Sequence, residues 1–277
     1  MRRVALLFVC LAGSLALAQT TLTAAEIMAR VAANQDKAEK LRQEYVYQQH
    51  VHAISSMTNG RLMREVTDEY DVTPTPEGST KQLKSRTGKY YQKGKYLDIK
   101  GAAEANGNDD DSIDEDLTDG FIKDLVNEKS KDGIGNHLFP LTTKEQAKYK
   151  FQLIGEAQQD GRPVYRIGFS PAAHDDYAWA GEALVDKEDL QPVLVFTKLN
   201  KKLPLLIRGA LGTDVPGAGF SVHYRRQPDG VWFPVSFGTE FRLKVLFFMK
   251  RNIVLSLDNR NFQRTHVDSR ITGLTTE

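Results

Sequence analysis

The chain has 277 residues, of which 40% are hydrophobic and 26% charged, with one cysteine and a formal net charge of +1. That near-neutral balance gives no field for a polyanion, so nucleic acid is excluded as the main partner. A lone cysteine cannot close a disulfide within the chain, and stability has to come from burial, for which the apolar share is sufficient.

The first twenty residues, "MRRVALLFVCLAGSLALAQT", place Arg2 and Arg3 ahead of an apolar run from Val4 to Ala18, with Ala16-Leu17-Ala18 before Gln19. This is the layout of an export signal with a small-residue cleavage site. The run is shorter than the ~20 residues that span a bilayer. It predicts an exported, periplasmic protein in which residues 1–18 are removed and 19–277 form a single domain, the alternative being a signal retained as a membrane anchor. Cys10 lies inside the signal, behind the bulky Val9, so the mature chain carries no thiol chemistry. Loss of Arg2 and Arg3 lowers the net charge by two, to −1.

Thr23-Ala24-Ala25-Glu26 has the spacing of a capping box and opens a helix of about four turns, with Ile27, Val31, Ala38 and Leu41 on its apolar stripe. From Tyr45 the period changes to two. Tyr45, Tyr47, Val51 and Ala53 fall on one side, and Gln48, His50 and His52 on the other. Asn59-Gly60 turns the chain into a return strand on which Leu62, Val66, Tyr70 and Val72 alternate. "TPTPEGST" is a loop, because Pro74 and Pro76 cannot donate to a ladder. "KYYQKGKYLDI" is a second hairpin turning near Lys93-Gly94.

Gly101 to Ile122 holds eight acidic residues and no basic ones. Its composition predicts a solvated, poorly ordered loop near 101–120, followed by a short helix that carries Phe121, Leu125 and Val126. A hard cation is the alternative for the carboxylates, but Asn106-Asn108-Asp110 lacks the glycine and glutamate of a calcium loop. Beyond "KDGIGNHLFPLT" the strand pattern resumes. Three hairpins turn at Asp160-Gly161, at "DKEDLQP" and at Pro228-Asp229-Gly230. About ten strands, one long helix and one or two short ones predict a mostly β fold of the α+β kind. The sheet is large, curved and antiparallel, an unclosed barrel with an N-terminal helix and one or two lid helices on its hollow side.

"GEALVDKEDLQPVLVFTK", Gly181 to Lys198, and "FQLIGEAQQDGRPVYRIGFSP" before it resemble the LolA, LolB and RseB superfamily of periplasmic lipoprotein-binding domains, which includes outer-membrane lipoprotein-sorting proteins. The likeness touches most of the mature chain. It implies an unclosed barrel with a helical lid and an apolar cavity for acyl chains or a lipidated partner. It implies no catalytic residues and no cofactor.

Two basic apolar stretches stand out in the C-terminal third, where Val195 to Arg251 holds ten Lys or Arg against Asp214, Asp229 and Glu240. In "FRLKVLFFMKRNIVLSL" seventeen residues would span ~55 Å as one strand, too long for an ordinary one. A reversal is expected near Met249 to Asn252. Leu246, Phe247, Phe248 and Met249 then sit at a hairpin tip beside Lys244, Lys250 and Arg251. In "NKKLPLLIRGALG", Lys201, Lys202 and Arg208 bracket Leu203, Leu205, Leu206, Ile207 and Leu211. Each stretch is either covered by neighbouring chain or exposed, with its apolar residues in a lipid interface and its cations on anionic head groups, and the aromatic tip has a third reading as an anchor for a protein partner.

His50 and His52 share a strand face but have no identifiable third ligand, so no metal is expected. There is no G-x-S-x-G elbow and no phosphate-cradling glycine motif. The function that follows is a non-enzymatic periplasmic lipid or lipoprotein carrier. The alternatives are an envelope sensor or assembly factor that binds a protein without lipid cargo and, more remotely, a hydrolase.

Overall fold

A computed structural model describes residues 22–76, 78–101, 112–126, 142–172, 179–199, 219–245 and 249–265. The expected export signal and the stretch Lys201 to Leu211 lie outside them. The chain runs α1 (Ala24–Arg42), β1 (Tyr45–Met57), β2 (Leu62–Pro74), β3 (Ser79–Gln92), β4 (Lys95–Lys100), α2 (Ser112–Leu125), α3 (Thr143–Gln146), β5 (Tyr149–Gln159), β6 (Arg162–Pro171), β7 (Trp179–Asp186), β8 (Pro192–Leu199), β9 (Gly219–Arg226), β10 (Trp232–Val245) and β11 (Met249–Arg264). Among these residues no helix is long and apolar enough to cross a membrane.

All eleven strands join one antiparallel sheet in the order β4-β3-β2-β1-β11-β10-β9-β8-β7-β6-β5, open at β4 and β5. The expected mostly β, unclosed architecture is what the chain adopts. Neighbouring strands lie ~4.8 Å apart, so β5 and β10 would be about 24 Å apart in a flat sheet. α1 touches both. At nineteen residues α1 is ~28 Å long, so it reaches both by lying across the strands between them, and the twist accumulated over so large a sheet bends it rather than leaving it flat.

Local chemistry accounts for the elements. At the start of α1 the Thr23 N–H donates to the Glu26 carboxylate at 2.8 Å, and the Glu26 N–H donates to the Thr23 hydroxyl at 3.3 Å, which completes the capping box. Ile27, Met28 and Val31 are fully buried against the sheet, whereas Leu41 is 39% exposed, so the apolar stripe stops a turn earlier than expected. Gly60, at φ +86°, makes the β1–β2 turn, and Lys93-Gly94, both at positive φ, make the β3–β4 turn. In β1, Tyr45, Tyr47, Val51 and Ala53 are buried, and His50 and His52 lie on the opposite face, as the two-residue period requires.

One continuous core lines the inner face, from Ile99 of β4 through Val66, Val51, Leu257, Phe237, Val222 and Val195 to Ile167 of β6. Both α1 and α2 pack into it. A smaller, separate cluster of Tyr45, Val231, Phe233 and Val235, with Phe262 against it, gathers where the starts of β1 and β10 meet the end of β11.

Candidate binding site

The inner face of the sheet is apolar on the α1 side and charged on the α2 side. Val51, Ala53, Val66 and Leu257 are at most 4% exposed and belong to the same core as Ile122, Leu125 and Val126 at the C-terminal end of α2. The N-terminal half of α2 sits over a different surface. There three arginines from three separate strands point inward: Arg64 of β2, Arg86 of β3 and Arg251 of β11.

Each arginine meets a carboxylate of α2. Arg251 donates through Nε and Nη2 to Asp114 at 2.7 and 2.9 Å, and the Ser55 hydroxyl donates to the same carboxylate. Arg86 donates to both oxygens of Asp68 at 2.7 Å and to Asp119 at 3.1 Å. Arg64 donates to the Thr118 hydroxyl at 3.1 Å, and its Nη2 lies 3.8 Å from Glu115 and 3.9 Å from Asp119, beyond hydrogen-bond reach. That nitrogen and Asp119 Oδ1 are both buried without a hydrogen-bond partner.

The titration of the site follows from this geometry. Burial, reinforced by the neighbouring Asp119 and Asp116 and opposed by Arg64, pushes the Glu115 carboxyl above its ordinary value. Burial and then the Asp68 carboxylate push the Tyr70 hydroxyl up, and Tyr70 donates to Asp68 at 2.9 Å. Hydrogen bonding to Asp68 holds the Arg86 guanidinium further above its usual value.

Two expectations need correction here. Residues 112–120 of the acidic run are helix rather than solvated loop. Asp114 and Thr118 are buried, and three carboxylates of the run, Asp114, Glu115 and Asp119, face the arginines of the sheet. Arg251, expected on an anionic head group, is 6% exposed and is spent on Asp114. The chain reverses between Val245 and Met249, three residues before the expected bend, and this shift puts Arg251 inside the ladder opposite Met57.

Of the other anticipated contact residues, Met249 is half-buried and Lys250 exposed, and Lys244 lies in β10. Leu246, Phe247 and Phe248 fall outside the described residues, as do Lys201, Lys202, Leu203, Leu205, Leu206, Ile207, Arg208 and Leu211. The strands that carry these two stretches are described. Lys198 pairs with Gly219 and Val245 with Met249, and both pairs lie at the end of the sheet where Met57 meets Arg251 and Gln92 meets Lys95. The β3–β4 hairpin brings Tyr91, Tyr96 and Leu97 to that same end, with the Arg61 guanidinium 5.5 Å from the centre of the Tyr91 ring.

On the outer face His50 Nδ1 is 2.7 Å from Glu69, and His52 Nε2 is 3.0 Å from Glu65. The pairs lie on a charged face of the sheet, and no third ligand joins them among the described residues.

Sequence reasoning missed Arg64, Asp68 and Arg86. The signal was present in β2, where Arg64 and Asp68 hold the same alternate positions as Val66 and Val72 and therefore had to point inward.

No family model matches the chain, and no curated protein matches it. Among solved structures it is similar to a LolA superfamily protein from Nitrosomonas europaea, at 12% identity and a TM-score of 0.37 over 92% of this chain and 99% of that one. A DUF1329 family protein from Desulfovibrio piger gives 13% identity and a TM-score of 0.36 over 92% and 96% of the two chains. An outer membrane lipoprotein-sorting protein domain from Vibrio parahaemolyticus gives 12% and 0.33 over 90% and 95%.

Proposed function

We propose that the chain is a non-enzymatic carrier of the cell envelope, exported to the periplasm, that receives an acyl chain or a lipidated protein on the inner face of its sheet. α2 serves as the lid. The observation behind this reading is the way α2 is held. Its carboxylates fasten it to the sheet by charge, while Ile122, Leu125 and Val126 are buried in the apolar core and Phe121 packs partly buried against it, 5.2 Å from the Phe241 ring.

Magnitudes favour exchange of lid for cargo. Burying a side chain of that kind is worth ~1.5–3 kcal/mol, so the three buried ones contribute roughly 4.5–9 kcal/mol, with a part share added by Phe121. An acyl chain gains ~0.8 kcal/mol per buried CH2, so about ten methylenes offset that loss. The charged groups of the latch, unlike the apolar ones, regain water when they separate.

A protein partner without lipid cargo is the second reading, favoured by the open β4 edge, where Tyr96 is 51% and Leu97 39% exposed. Solvent extraction of the purified protein, with mass spectrometry of the extract, separates the two. The carrier reading expects acyl lipid at near-equimolar amount, or its uptake from labelled donor vesicles. Neither co-purified nor transferred lipid would leave the protein-partner reading.

A further inference from the structure

Among the described residues the three inward arginines are joined by one acid of the sheet, Asp68. Without α2, the patch of Arg64, Arg86, Arg251 and Asp68 carries two more positive than negative charges. With Asp114, Glu115 and Asp119 over it, the sign reverses to an excess of one carboxylate. The match is imperfect at its centre. Arg64 is 3% exposed, one of its nitrogens has no hydrogen bond, and the nearest oxygens of Glu115 and Asp119 stop at 3.8 and 3.9 Å. A guanidinium fork presents two parallel donors to one carboxylate or phosphate at 2.7–2.9 Å. α2 gives that geometry to Arg251 and withholds it from Arg64. The patch also adjoins apolar wall, since Val66 sits between Arg64 and Asp68 on β2, and Ala53 next to Ser55 on β1.

We propose that Arg64, Arg86 and Arg251 form an anion site that α2 occupies with its own carboxylates, and that the ligand which displaces them is an anionic amphiphile, a phosphate or carboxylate head group on an apolar tail. This rests on the carrier reading and assigns its cargo a charge. The lid is then a competitor for the ligand's head group, and unlatching and head-group capture are one exchange of anions on the same three guanidiniums. Opening needs no separate trigger, because the incoming head group supplies the partner that each arginine loses.

The test uses the mature chain and three probes below any micelle-forming concentration: dodecyl phosphate, dodecyl maltoside and inorganic phosphate. Calorimetry reads affinity, and hydrogen exchange reads α2 through the amides of residues 112–126. Dodecyl phosphate is expected to bind at least ~10-fold tighter than dodecyl maltoside, a factor equal to about 1.4 kcal/mol, and to speed exchange in α2. The double variant Glu115→Gln, Asp119→Asn keeps the Asp114–Arg251 pair and weakens the competitor, so it is expected to bind dodecyl phosphate several-fold tighter. Asp119→Asn alone, at a partly exposed position, is expected to shift in the same direction. Arg64→Gln is expected to weaken dodecyl phosphate and leave dodecyl maltoside unchanged.

Equal binding of the two amphiphiles would overturn the anion site and leave the carrier reading standing. Inorganic phosphate loosening α2 at the same concentration would overturn the amphiphile assignment. Binding of neither amphiphile would overturn both. A double variant that melts like the parent but binds more weakly would show that the carboxylates only brace the helix.

Discussion

Asp186 shows how a single side chain ties the segment that carries the family resemblance to the rest of the molecule. It is fully buried at the end of β7, takes Arg162 through both oxygens, and accepts the N–H groups of Glu188 and Asp189 at 2.9 and 2.7 Å. The turn it shapes then receives α1, whose Asn34 donates to the Asp189 and Leu190 carbonyls at 3.0 and 3.2 Å. Trp232 Nε1 donates to the Asp189 carboxylate at 3.1 Å. Burial alone would raise the Asp186 carboxyl, but Arg162 and the two N–H groups outweigh it and hold the group below the ordinary aspartate value. A depressed folded value means that the ionised form stabilises the fold. This contribution is complete above the ordinary aspartate value near ~4 and is lost as pH falls through the lower folded one. Asp186→Asn is expected to cost about 1–3 kcal/mol at pH 7 by urea denaturation, and to flatten the fall in stability below pH 4. An unchanged acid slope would assign that fall to other groups. The motif was legible as a turn, but its use as a socket for α1 was not, because Asn34 lies 155 residues away in the chain.

At the scale of elements, α1 and α2 contrast. α1 was legible because its cap and apolar stripe are both local. Ile27 is fully buried, and Ile27→Ala is expected to cost about 2–5 kcal/mol, a transfer loss plus a cavity that the curled sheet cannot collapse to fill. A shift in urea midpoint with unchanged slope would measure it. The helix carrying Phe121 and Leu125 was expected, but the N-terminal half of α2 was misread as loop because composition alone describes a solvated chain. Its acids become structural only where Arg64, Arg86 and Arg251 stand beneath them. Raised by burial, the Glu115 carboxyl works in the opposite direction to Asp186. Its ionised form is disfavoured in the docked helix, so this contribution to docking is complete below the ordinary glutamate value and is lost as pH rises through the higher folded one. Hydrogen exchange across residues 112–126 is therefore expected to slow as pH falls from neutrality toward the ordinary glutamate value near ~4.3, after correction for intrinsic rates, and Glu115→Gln is expected to remove that dependence.

For the whole molecule, the order of strands decides which loops share an end. The β1–β2, β3–β4 and β10–β11 reversals and the connections leaving β6 and β8 all emerge together, because each follows a strand that runs the same way in the antiparallel order. The strand ends that lead into the two basic apolar stretches, Lys198 and Gly219 for one and Val245 and Met249 for the other, therefore lie at the same end of the sheet as the β3–β4 turn with Lys93 and Lys95. Charge reversal of Lys201, Lys202 and Lys250 is expected to reduce co-sedimentation with vesicles rich in anionic lipid, each lysine near such a surface being worth about 1 kcal/mol. Arg251 belongs outside this set, since reversing it would place like charges against Asp114 and destabilise α2 instead. Sedimentation unchanged by the triple reversal would remove the membrane from the function and leave the carbon-chain cargo untouched.

The amino-acid sequence by itself determined the parts that depend on neighbours a few residues apart: the capped α1, the two-residue period of the strands, the turns at Asn59-Gly60, Lys93-Gly94 and Asp160-Gly161, and from their number a sheet too large to stay flat. Tertiary structure alone decided what the inward charges are for. Asp114 and Arg251 stand 137 residues apart, and only the pairing of β11 beside β1 puts the guanidinium under the helix. Periodicity tells which face a side chain takes, because backbone geometry is local. The partner it meets there is set by strand order, which no short window of sequence contains.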